Sequence, residues 1–130
     1  MKGDILKVLP RFPKESFDAI LCIEVLYLRR NFRNILSAFH EVLKGKGLLM
    51  TSHRPQAYYL KLAQQKQDIE TARFIEKHRE GALWGSYFNW QAPSALPDLY
   101  RSVGFTVREI RPIERSPDEP HYLLVVAHKN

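Results

Sequence analysis

Five apolar residues in a row, Ala19-Ile20-Leu21-Cys22-Ile23, follow Phe17-Asp18 with no polar residue between them. A run without alternation predicts a strand covered on both faces, as in the middle of a parallel sheet, and not an edge. From Asn31 the spacing changes. Phe32, Ile35, Leu36, Phe39, Val42 and Leu43 recur at helical period, with Asn31 placed to cap the start and Gly45 to end it. Gly47-Leu48-Leu49-Met50-Thr51-Ser52 then predicts a second strand. Strand, helix and strand with short joints form the right-handed crossover unit of an α/β fold.

Beyond this unit, Pro55 opens a helical stretch, and Asp68 is placed to cap a second helix carrying Ile69, Ala72 and Ile75. Residues 80–91 show no periodicity and hold Gly81, Gly85 and a dense aromatic group. Ser94 is placed to cap a short helix that tolerates Pro97 in its first turn and ends at Gly104. Two further strands are predicted, Phe105 to Ile113 and His121 to His128, joined by a turn-rich segment with Pro117, Asp118 and Pro120. The organisation is one domain without internal repeats. Residues 1–54 are a strand-helix-strand core, 55–91 a helical insertion or lid, and 92–130 a helix with a C-terminal hairpin.

Composition narrows the class. A chain of 130 residues with 45% hydrophobic and 26% charged residues can bury one ordinary core, which excludes a disordered protein. Its apolar runs are far shorter than the roughly 20 residues a membrane-spanning helix needs. Met1-Lys2-Gly3-Asp4 brings charge at once, so no secretory leader is expected. The single cysteine, Cys22, excludes an internal disulfide and fits a buried thiol in a reducing cytoplasm. The net charge of +6 would favour an anionic partner if gathered on one face. Lysines and arginines are instead interleaved with acids, which reads as solvated surface rather than a nucleic-acid-binding face.

Several linked pieces carry a resemblance. Gly3-Asp4, Leu9-Pro10, Phe12-Pro13, Glu15-Ser16-Phe17-Asp18, Ile23-Glu24-Val25-Leu26, Glu41-Val42-Leu43-Lys44 and Gly47-Leu48-Leu49 occur in the order found in the middle of class I S-adenosylmethionine-dependent methyltransferases. Trp90, Leu96, Leu99-Tyr100 and Gly104-Phe105 resemble that family's last helix and the start of its penultimate strand. The resemblance implies a partial Rossmann-like methyltransferase sheet. It would hold the last four strands, with a terminal antiparallel hairpin and a helical insertion. The glycine-rich turn that approaches the cofactor's methionine portion would be missing. Gly45 and Gly47 lie after a helix and before a strand, which is the wrong context for that turn.

The same resemblance implies that Asp4 accepts a hydrogen bond from the adenine amino group of S-adenosylmethionine, with Ile5 beside the ring. A turn residue is the alternative for Asp4. Ile23 and Glu24 fall at the carboxyl end of the first strand, where open α/β sheets place ligands. Glu24 is a cofactor-binding or catalytic candidate, or a salt-bridge residue at a helix entry. The quinone-biosynthesis O-methyltransferases carry Glu-Val-Leu-Glu-His here, whereas this chain has Glu24-Val25-Leu26-Tyr27-Leu28, which argues against a metal. His53 follows the second strand and has the ordinary pKa of a general base, against the alternative of a surface loop histidine.

Trp84, Tyr87, Phe88 and Trp90 are candidates for a lid over a small-molecule methyl acceptor, or for a cover on the core. The expected activity is methyl transfer to a small molecule, by a chain that is incomplete alone. The alternatives are a noncatalytic interaction module and a basic nucleic-acid binder. A strand like 19–23 that lacked a neighbour would be a template for association, so a homodimer through that edge is also expected.

Overall fold

The computed structural model describes residues 4–23, 26, 32–77, 93–113 and 122–130. A short helix α1 (Ile5–Val8) and a 3-10 turn lead into strand β1 (Phe17–Cys22). Helix α2 (Phe32–Val42) follows, then strand β2 (Leu43–His53) and helices α3 (Gln56–Gln65) and α4 (Ile69–Lys77). A second 3-10 turn, helix α5 (Leu96–Arg101) and strands β3 (Phe105–Ile113) and β4 (Tyr122–Lys129) complete the described chain. The four strands form one sheet in the order β1-β2-β4-β3. The β1–β2 pair is parallel and the other two pairs are antiparallel, as the crossover and the hairpin require.

Both α2 and α5 lie on one face of this sheet. Ile35, Leu36 and Phe39 of α2 and Leu96, Leu99 and Tyr100 of α5 share a core with Cys22, Leu49, Phe105 and Val125. Ile5, Leu6 and Leu9 close the margin of the same core. Helices α3 and α4 form a separate hairpin around Tyr59, Ala63 and Ile75. Asp68 caps α4 as predicted, accepting from the Thr71 amide at 3.1 Å and the Thr71 hydroxyl at 2.7 Å. Ile69, expected on the packed face of that helix, instead lies exposed.

Three expectations are corrected. Helix α2 ends at Val42 and not at Gly45, because the Glu15 and Ser16 amides donate to the Glu41 and Val42 carbonyls and draw the chain into the sheet. Leu43 already pairs with Phe17, and Lys44 to Gly47 are taken up in a register shift before Leu48 pairs with Ala19. Gly47 is needed there, since a Cβ would sit 2.7 Å from the Lys44 carbonyl oxygen. Second, the helix after Pro93 is capped by Ala95 without a side-chain bond, and Ser94 lies in the preceding 3-10 turn. Third, β1 is an edge strand of the described sheet, paired on one side only. Its sequence is that of a central strand, yet Leu21 is 68% exposed.

Candidate functional site

The carboxyl ends of β1 and β2 lie side by side, with Cys22 in register with Thr51. Alternation along β2 turns Thr51 and His53 toward the helix-covered face. There α5, whose Leu96 and Leu99 anchor it in the core, sets the Tyr100 ring between them. The Tyr100 hydroxyl is hydrogen-bonded to Thr51 Oγ1 and lies 2.6 Å from His53 Nε2. One phenol has a single proton to donate, so at least one of these two partners donates to it. The two rings meet edge to face at 5.8 Å.

All members of this cluster are buried. Burial pulls the His53 imidazole down to about 4, which keeps it neutral at ordinary pH. Burial pushes the Tyr100 phenol up, with the Thr51 hydrogen bond pulling the other way. Cys22 is buried, as expected, and burial raises its thiol to about 11, which keeps it protonated and unreactive. His53 is thus neither a loop residue nor a surface residue. It ends β2 at 2% exposure, with Nε2 engaged by Tyr100. Its signal in the sequence was the apolar strand running straight into it; the missed partner was Tyr100, 47 residues away.

Just beyond, the Arg54 guanidinium stacks on the faces of Tyr58 and Tyr122, 4.5 and 4.1 Å from their centroids. It also donates to the Tyr122 hydroxyl at 2.9 Å. This clamp ties the first turn of α3 to the start of β4, and so fixes the helical hairpin at the carboxyl end of the sheet.

Asp4 is exposed and is the N-cap of α1, accepting from the Leu6 amide at 2.9 Å. Ile5 is partly buried against the core, while Ile23 is 41% exposed at the end of β1. An exposed carboxylate and an exposed apolar side chain suit the adenine end of a nucleoside cofactor, while Ile5 fits less well because it turns partly inward. Glu24, Trp84, Tyr87, Phe88 and Trp90 lie outside the described residues. No group of three or more metal-ligating side chains occurs among the described residues, and none of their helices is long and apolar enough to cross a membrane. A groove of about 610 Å³ lies elsewhere, on the α3–α4 hairpin, beside Gln64, Asp68, Ile69 and Arg73.

The sequence model of the methyltransferase domain family matches residues 1–51. The fold of the whole chain is similar to solved S-adenosylmethionine-dependent methyltransferases. A 1,6-didemethyltoxoflavin N1-methyltransferase from Burkholderia thailandensis, solved with its substrate and S-adenosylhomocysteine, superposes with a TM-score of 0.69 at 17% identity over 98% of this chain and 49% of its own. A methyltransferase from Methanosarcina mazei gives 0.69 at 16% identity over 98% and 65%. The magnesium protoporphyrin IX methyltransferase of Synechocystis, solved with S-adenosylhomocysteine, gives 0.67 at 12% identity over 100% and 50%. The chain therefore spans about half to two thirds of the structures it matches. A sequence comparison with curated proteins finds no match.

Proposed function

We propose that this methyltransferase-like domain is the acceptor side of an S-adenosylmethionine-dependent methyltransferase for small molecules. The observation that carries the reading is the fold. Strands β1 and β2 run parallel to a common carboxyl end, and the last two strands close the sheet as an antiparallel hairpin. When bound, the cofactor supplies a methyl group on a sulfonium, and transfer needs donor and acceptor held in line more than it needs catalytic groups. In this chain Asp4 would accept from the adenine amino group, and Ile23 would pack beside the cofactor. Thr51, Tyr100 and His53 would hold the floor of the site rigid, His53 positioning the strand end. The exposed adenine-side pair supports cofactor recognition, and the short coverage of the structural relatives supports a chain that does not complete a turnover alone.

Titration calorimetry with S-adenosylhomocysteine tests this reading. A saturable heat from the wild-type chain, lost in Asp4→Ala, is expected. No heat, or an equal heat from both, contradicts the assignment. A second reading, a noncatalytic interaction module of the same fold, is favoured by β1 having a strand partner on one side only among the described residues. It predicts partner binding without any response to S-adenosylhomocysteine.

A further inference from the structure

Three polar side chains are buried together at the end of β2 and share few protons. Thr51 and Tyr100 each carry one on a hydroxyl, and the neutral His53 ring carries one on either of its two nitrogens. The Tyr100 oxygen stands between the other two, bonded to Thr51 Oγ1 and 2.6 Å from His53 Nε2. Because the phenol has a single proton, the direction of these bonds fixes the tautomer of the ring.

The separation of 2.6 Å sets the direction of the second bond. Bonds donated by a nitrogen to an oxygen span about 2.7–3.2 Å, whereas those donated by a hydroxyl run shorter, from about 2.5 Å. A hydroxyl donor fits this spacing and a ring N–H does not. Chemical matching points the same way. The phenol is the most acidic donor of the group, and its oxygen is a weak acceptor because a lone pair is delocalised into the ring. An unprotonated imidazole nitrogen is the strongest acceptor, and the Thr51 hydroxyl rotates to suit either role. A chain in which Thr51 donates to Tyr100 and Tyr100 donates to Nε2 joins the best donor to the best acceptor, and its bonds strengthen one another. Burial raises the Tyr100 phenol, and the Thr51 bond works against that rise, as a donor to the phenol oxygen does.

The group is also rigidly framed. Thr51 pairs with Cys22 and Val125 in the sheet, and His53 with Leu123. Tyr100 is fully buried on α5, and its ring meets the His53 and Phe105 rings edge to face at 5.8 and 6.2 Å.

We infer that Tyr100 is a positioning residue that holds His53 in its Nδ1–H tautomer, so that the end of β2 carries a fixed hydrogen-bond donor and not a general base. The phenol takes up the lone pair of Nε2, and Nδ1 already carries the one proton of the ring. Neither nitrogen is left to accept a proton from a nucleophile. The tautomer stands on the buried group alone, whereas its chemical consequence rests on the methyl-transfer reading. A methyl acceptor bound at this end of the sheet does not lose its proton to His53. Either it arrives ionised or with a lone pair to give, or another group takes its proton.

Long-range proton–nitrogen correlation spectra of the isotope-labelled 130-residue chain, taken near neutral pH without ligand, test the inference. Loss of signals in His53→Gln assigns the ring. The expected result is a protonated-type shift at Nδ1 and an unprotonated-type shift at Nε2, the reverse of the Nε2–H form that a solvated histidine side chain prefers. In Tyr100→Phe, with folding checked by circular dichroism, the Nδ1–H form should give way to the Nε2–H form or to an exchange average. The wild-type spectrum decides by itself if that variant does not fold. An Nε2–H or doubly protonated His53 in the wild-type chain, or an unchanged Nδ1–H form in folded Tyr100→Phe, would overturn the inference. Titration with S-adenosylhomocysteine is a separate measurement, so its failure would strike the methyl-transfer reading and leave the tautomer standing.

Discussion

At the scale of single residues, the buried polar group at the end of β2 is the most demanding feature. The unfolded His53 imidazole takes up a proton near its ordinary 6.5, whereas the folded one does so only near 4. Stability from the neutral ring is complete above pH 6.5 and is lost as pH falls toward 4, a span equivalent to roughly 3 kcal/mol. Urea midpoints measured across pH 4 to 7 should show this slope, and His53→Gln should flatten it. Tyr100→Phe removes the one hydroxyl shared by Thr51 and His53, and is expected to cost roughly 1–3 kcal/mol. Gly104 is intolerant of substitution as well, like Gly47. Its φ is +97°, and a Cβ there would lie 2.5 Å from His40 Nε2. Gly104→Ala should lower the melting temperature by several degrees, in keeping with a loss of about 1–3 kcal/mol for strain and overpacking.

At the scale of elements, the helical hairpin is set apart from the sheet. Tyr59, Ala63 and Ile75 form their own cluster, joined to the rest near Arg54 and its two tyrosine rings. Ile75→Ala should cost roughly 2–5 kcal/mol within that cluster. Hydrogen exchange should rise across 56–77 while β2 and β4 keep their protection, as expected of a hairpin that opens by itself. The elements themselves were legible where periodicity was clean. Phe105–Ile113 is read from the sequence with the bounds observed, and Asp68 caps as its position implied. The helix end at Gly45 was misread because Leu43 continues the helical spacing. What stops the helix is a pairing with Phe17, distant in sequence, and no local signal reports it.

At the scale of the whole molecule, the described residues place α2 and α5 on one face of the sheet, with β3 at one edge and β1 at the other, each paired on one side only among those residues. That arrangement was half legible. The apolar run 19–23 announced a strand that needs neighbours, but the row Leu21, Met50 and Val126 exists only once the register of three strands is known. For the candidate site, the resemblance pointed to Asp4 and position at the strand ends to Ile23 and His53, while the link from His53 to Tyr100 required the fold to bring α5 onto β2.

We propose that the carboxyl end of β1 and β2 is the functional end of this domain. Nuclear magnetic resonance mapping of the chain during titration with S-adenosylhomocysteine tests it most directly. Amide shifts are expected at Asp4, Ile5 and Ile23, with smaller ones at Thr51 and His53 and none along α4. Shifts centred on the groove beside Asp68 and Arg73, or no shifts at all, would contradict it.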